Sequence, residues 1–177
     1  MLWLLRHPSV AEPSVRLHLL ANGVSNHSPR ILFSDFVDKQ TYLQRSSAAD
    51  LFLDNARYNA GATGVDSLYS QVPILTLPTQ RIVGRMVSTQ LHAMNMTTTI
   101  THSVKAYEDA AVLVGKRKRL VRGLKRKLKD RTKGNLFDFN AFAKKFQSML
   151  KISKEMKSSG GVKHVVMSQQ AEGSGGV

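Results

Sequence analysis

The chain has 177 residues, 42% of them apolar, a formal net charge of +14 and no cysteine. That length suits one domain of ordinary size, the apolar share suffices for a core, and no apolar run is long enough to be read as a transmembrane helix. Without cysteine there is no disulfide, no thiol catalysis and no cysteine-ligated zinc, so a reducing compartment is expected, cytoplasm or nucleus or both.

The start, "MLWLLRHPSV", has a short greasy patch with no basic leader before it, which makes a poor signal peptide. Within it "LWLL" (2–5) reads as a buried strand. "PSVRLHLLANG" (13–23) reads as a helix stopped at Gly23. "RILFS" (30–34) is a second strand and "KQTYLQRSSAA" (39–49) a helix. "DLFLD" (50–54) is a third strand, followed by the glycine turn "NAGATGVD" (59–66) and a helix to about Gln71. Pro73 opens "PILTL", a fourth strand. "RIVGRMVSTQLHAMN" (81–95) reads as one helix, "TTTIT" (97–101) as a short last strand, and "SVKAYEDAAVLVG" (103–115) as a helix capped by Ser103. Strands alternating with helices over short connections predict an α/β fold with a mainly parallel sheet.

The excess charge is concentrated in "GKRKRLVRGLKRKLKDRTKG" (115–134). Leu120, Val121, Leu124 and Leu128 recur there at helical spacing, predicting one apolar stripe wrapped in basic residues. Such a block can bind nucleic acid or an anionic membrane, or act as a nuclear address. The plainer reading is a solvated helix face, and no aromatic residue interleaves with these charges to stack on bases. Next, "NLFDFNAFAKKFQSMLKISKEMK" (135–157) places Phe139, Phe142, Phe146 and Leu150 at helical spacing, predicting an amphipathic helix docked on the body. The Gly/Ser-rich stretch from Ser158 is expected to be disordered.

Neither GxGxxG nor GxxxxGK[ST] is present, and the six histidines show no metal-ligand pairing. Ligands of parallel sheets bind beyond the carboxyl ends of the strands. Two segments fall there. A glycine turn opening a helix offers free backbone N–H groups to an anion; Thr63 adds a hydroxyl and Asp66 a carboxylate suited to ribose hydroxyls. On the other segment Lys39, Tyr42 and Arg45 lie three apart on one helix face, with cations suited to phosphate and a ring suited to a base or sugar. The plainer alternatives are a surface helix with two cations and an aspartate placed to favour the helix dipole. Asp50 and Asp54, at the ends of the third strand, read as caps for nearby backbone.

"LWLLRHPSVAEPS" (2–14), "RILFSDFVDK" (30–39), "AADLFLDNARYNAGATGVDSLYSQVPILTLP" (48–78) and "RMVSTQL" (85–91) resemble, in order and to about residue 150, the C-terminal catalytic lobe of the O-linked N-acetylglucosamine transferase family. The SPINDLY-type O-fucosyltransferases are relatives. The resemblance implies a GT-B architecture of two Rossmann-like lobes, of which this chain carries part of one. It implies that Lys39 contacts and stabilises the leaving diphosphate, with Tyr42 and Arg45 by the uracil, and that Gly61, Ala62, Thr63 and Asp66 line the nucleotide-sugar site. The family usually has histidine where Tyr42 stands, and Asn-Gly-His-Thr-Thr-Gly at the turn. Here Gly61 and Ala62 replace the phosphate-holding histidine and first threonine. Charge-assisted bonds of that kind contribute about 1.5–3 kcal/mol each.

The implied organisation is a partial nucleotide-sugar lobe at 1–115, basic and amphipathic helices at 116–157 and a tail at 158–177. The implied donor is UDP-N-acetylglucosamine, the acceptors are Ser/Thr hydroxyls of proteins, and neither metal, cofactor nor membrane partner is expected. The chain aligns from within the lobe's second strand, so unpaired sheet backbone is expected where a central strand would lie, and little transfer is expected of the chain alone. The alternative is a non-catalytic remnant that binds nucleic acid or an acidic partner through 116–133.

Overall fold

The computed structural model describes residues 1–25, 28–131, 135–158 and 160. Two short parallel pairs carry the α/β character. Strand β1 (Leu2–Leu5) pairs with β2 (Ile31–Ser34) in the register Leu2↔Ile31 to Leu5↔Ser34. The indole of Trp3 donates to the Ser34 hydroxyl at 2.7 Å across this pair. Strand β3 (Phe52–Leu53) pairs with β4 (Ile74–Leu75), and Thr76 continues β4 into a single parallel bridge with Ile100. The expected parallel direction holds, but the described strands form two separate two-stranded sheets.

The helices follow local chemistry. Helix α1 (Ala11–Ala21) begins two residues before the predicted start, because Pro13 sits in its first turn, where no backbone donor is required. It stops before Gly23, whose φ of 78° suits the reversal after a helix end. Helix α2 (Lys39–Ser46) is capped by Asp38, whose carboxylate accepts from the Thr41 N–H at 3.0 Å. Helix α3 spans Ala62–Tyr69. The predicted helix over 81–95 divides into a 3₁₀ turn at Ile82–Gly84 and α4 (Met86–Ala93). Gly84 lies so close to its neighbours that a Cβ there would fall 2.0 Å from Thr79 Oγ1 and 2.9 Å from the Ala56 carbonyl. The Thr79 N–H donates to the Gly84 carbonyl at 2.8 Å, diverting it from a helical partner. The "TTTIT" strand reduces to a 3₁₀ turn (Thr97–Thr99) and the Ile100 bridge, since the Thr99 hydroxyl turns back to the Met96 carbonyl. Helix α5 (Val104–Lys116) is capped as expected, with the Ser103 hydroxyl accepting from the Ala106 N–H at 3.1 Å.

Leu68, Ile74, Val87, Leu91, Met94, Met96 and Leu128 form the buried core, around β4. Leu128 belongs to α6 (Lys118–Arg131), the basic helix. Val121 is also buried and Leu124 packs against the cluster, so the predicted apolar stripe is a docking face; Leu120 lies at its edge, 38% exposed. Of the helix predicted over 135–157, Asn135–Phe137 forms a separate 3₁₀ turn whose Leu136 and Phe137 pack against the core, and α7 (Phe139–Ser158) follows it without the expected docking. Phe139 is 79% exposed, Phe142 65%, Phe146 45% and Leu150 53%, and no residue of the helix is buried. Phe142 and Phe146 stack on each other at 6.0 Å between ring centres instead of entering the core. Nearly all of the 158–177 tail lies outside the described residues.

Candidate functional site

Helices α2 and α3 both begin just after strands and touch each other. Lys39, the first residue of α2, reaches α3: its Nζ is 2.5 Å from Asp66 Oδ2. The same ammonium lies 5.7 Å from the centre of the Tyr42 ring. Lys39, Tyr42 and Asp66, chosen from two separate segments of sequence, therefore meet. Arg45 turns elsewhere. Its Nη2 donates to the Asp35 carbonyl at 3.0 Å and its guanidinium lies 5.5 Å above the Trp3 ring, at the β1–β2 end. Its Nε is buried without a partner.

The glycine turn has an unusual backbone. Gly61 has φ 49° and ψ −119°, a region hostile to side chains. The Thr63 and Gly64 N–H groups bond back to Ala60 and Gly61 carbonyls, whereas those of Gly61 and Ala62 donate to no described group. The anion-binding potential thus rests on the Gly61 and Ala62 amides and on the exposed Thr63 hydroxyl. Thr63 borders an open hollow of about 350 Å³ shared with Asp54, Asn55, Tyr58 and Asn59.

Three side chains outside the predicted set hold this turn. Asp54, at the end of β3, accepts from the Ala60 N–H at 2.9 Å and from the Thr76 hydroxyl at 2.6 Å. Asn59 is fully buried; it donates to the Asn55 carbonyl at 2.9 Å and accepts from the Val87 N–H at 3.3 Å. Gln90 of α4 donates to the Gly61 carbonyl at 2.8 Å. The capping role read for Asp54 is what the geometry gives it. Gln90 carries no local signal, since its partner lies 29 positions away. His7 packs edge-on against Phe36, 4.7 Å between ring centres, as a structural contact. No cluster of metal-ligating side chains occurs among the described residues.

Burial raises the Asp54 carboxyl above the ordinary aspartate range, against the lowering effect of its bonds from Thr76 and Ala60. A folded chain that holds this proton more tightly than the unfolded chain loses stability as pH rises through the interval between the two values, and keeps that contribution below it. Asp54→Asn preserves the shape and is expected to flatten that decline, seen as a urea midpoint that varies less as pH rises above the ordinary aspartate range. An unchanged pH profile would remove Asp54 as its source.

Residues 1–146 match the family described as Glycosyl transferase family 41. The chain belongs to that family. It is 28% identical over 151 residues to the Caenorhabditis elegans protein named "UDP-N-acetylglucosamine--peptide N-acetylglucosaminyltransferase", covering 85% of this chain and 13% of that protein. It is 32% identical over 148 residues to the Arabidopsis thaliana protein named "Probable UDP-N-acetylglucosamine--peptide N-acetylglucosaminyltransferase SEC", covering 82% of this chain and 15% of that protein. A solved structure of a Thermobaculum terrenum O-GlcNAc transferase mutant superposes with a TM-score of 0.72 at 20% identity, over 82% of this chain and 29% of that one. That likeness establishes the fold. The chain therefore spans under a third of each of these relatives, and it aligns with part of an O-GlcNAc transferase. No helix among the described residues is long and apolar enough to cross a membrane.

Proposed function

We propose that this chain is a nucleotide-sugar-binding portion of a protein O-glycosyltransferase that uses UDP-N-acetylglucosamine and modifies Ser/Thr hydroxyls of proteins. The observation that carries the reading is the meeting of Lys39, on α2, with Asp66, on α3, 2.5 Å apart. Asp66 is one turn into the helix at whose start the N–H groups of buried Gly61 and exposed Ala62 donate to no described group. A cation, a ribose-suited carboxylate and free amides then share one edge. In the reaction, an acceptor hydroxyl attacks the anomeric carbon and the bond to the nucleoside diphosphate breaks. Lys39, the two amides and Thr63 stabilise the charge that gathers on the departing diphosphate, a role in which fixed donors are most effective. Tyr42 packs beside the nucleoside, and Arg45 orders the neighbouring β1–β2 end.

Millimolar UDP added to the purified chain is expected to raise its melting temperature, as any ligand selective for the native state must. A cooperative transition with no shift would overturn the reading. With UDP-N-acetylglucosamine and an acceptor peptide, the chain alone is expected to transfer little or no sugar, and robust turnover would contradict the view that it is only the donor-side portion.

A second reading is favoured by α6. Leu120, Gly123 and Leu124 line an open groove of about 700 Å³ together with Arg119, Arg122 and Arg126. None of these three forms an ion pair among the described residues. Such a surface suits a non-catalytic module that binds nucleic acid or an acidic protein segment. Its complexes must weaken steeply with salt; a salt-insensitive complex, or none at low salt, would exclude it.

A further inference from the structure

We propose that Gln90 is a positioning residue for the diphosphate end of the site, one that aims the Ala62 amide; this rests on the nucleotide reading above. A trans peptide is planar, so its C=O and the following N–H point in opposite directions. The Gln90 side-chain amide draws the Gly61 carbonyl towards α4 at 2.8 Å. The Ala62 N–H of that same peptide must then point away from α4, and it is one of the two free donors at the start of α3.

The direction of the Gln90 amide is itself fixed. Its Nε2 end meets a carbonyl, so a flipped side chain would set two oxygens against each other. Its Oε1 end is buried without a partner, next to Gly64. A Cβ on Gly64 would fall 2.5 Å from that oxygen and 3.2 Å from a Val87 methyl. A methyl at 64 would have to push the Gln90 oxygen aside, so the glycine leaves room for this side chain as it lies. On the other side of Gly61, Asp54 holds the Ala60 N–H at 2.9 Å. The Asn59–Ala60 peptide is thus held from β3 and the Gly61–Ala62 peptide from α4, while the Ala60–Gly61 peptide between them is held by the Thr63 and Gly64 N–H groups on the Ala60 carbonyl. The Gly64 and Val65 amides also reach the Gly61 carbonyl, at 3.1 and 3.4 Å, as ordinary helix bonds. Among the described residues, Gln90 is the one hydrogen bond that ties this carbonyl to another element.

The test uses the full chain and Gln90→Met, which keeps length and packing but cannot donate. Affinities for UDP and for uridine are measured by titration calorimetry. The variant is expected to bind UDP about tenfold more weakly, the effect of losing one aligned hydrogen bond, with uridine affinity unchanged. Parallel losses for UDP and uridine, or an unchanged UDP affinity, would overturn the proposal. The order parameter of the Ala62 amide, measured by NMR without ligand, separates the two readings. It is expected to fall in Gln90→Met, and an equal value in both chains overturns the positioning role. If the unaltered chain binds neither UDP nor uridine, the nucleotide reading fails, and the order parameter still decides whether Gln90 holds the turn.

Discussion

Leu128→Ala is expected to destabilise the chain by about 3–5 kcal/mol, the usual cost of opening a cavity in a core that cannot collapse around it. Leu128 is fully buried with Leu68, Ile74, Val87, Leu91, Met94 and Met96, although it belongs to the most basic stretch of the sequence. A loss of that size is a large part of the stability of an ordinary domain. Leu120→Ala, on the same helix but 38% exposed, is expected to cost about 1 kcal/mol or less. Urea denaturation of the two variants reads the contrast directly. Equal small effects would mean that α6 is a solvated appendage; a large effect at 128 alone means that the basic helix is a wall of the core, with its cations carried on the outer side.

Lys39→Ala is expected to raise the Kd for UDP by about 10- to 100-fold, the effect of removing a charged donor from a diphosphate. The same change is expected to alter unfolding free energy by less than about 1 kcal/mol, because the Lys39 end of its pair with Asp66 is exposed and screened. This combination separates a ligand contact from a structural one. An unchanged Kd would remove Lys39 from the site, and a large stability loss would make its pairing with Asp66 the main role. Raised salt is expected to narrow the gap between the two chains, since it weakens attraction between exposed charges.

What could be read from the sequence was local or periodic. The cap at Ser103 is a contact three residues long, and the stripe that ends in Leu128 is periodic within one helix. Lys39, Tyr42 and Asp66 could be brought together because parallel topology places the starts of successive helices at one edge. Features set by distant partners were not legible. The helix predicted over 81–95 is broken where Gly84 gives its carbonyl to the Thr79 N–H and sits tight against Ala56, 28 positions earlier in the numbering. The reach of Gln90 to Gly61 depends on the fit of α4 against α3. Spacing alone marks Phe139, Phe142 and Phe146 as an apolar face, but it cannot say whether anything covers that face. The division of the parallel strands into two pairs is likewise a matter of which edges meet.

The backbone of Gly61 also constrains which substitutions this turn can accept. Any L residue introduced there alone meets φ 49° and ψ −119°, and its Cβ lies 3.2 Å from the Met86 methyl. Histidine, the residue that the resemblance implies for the family at this position, is no exception. A mutational route towards the family's turn cannot begin at that codon without crossing a strained intermediate. It opens more easily at Ala62, which is exposed and helical, where threonine adds a hydroxyl without disturbing the fold. The turn is therefore a gated path, in which the order of the steps matters as much as their end.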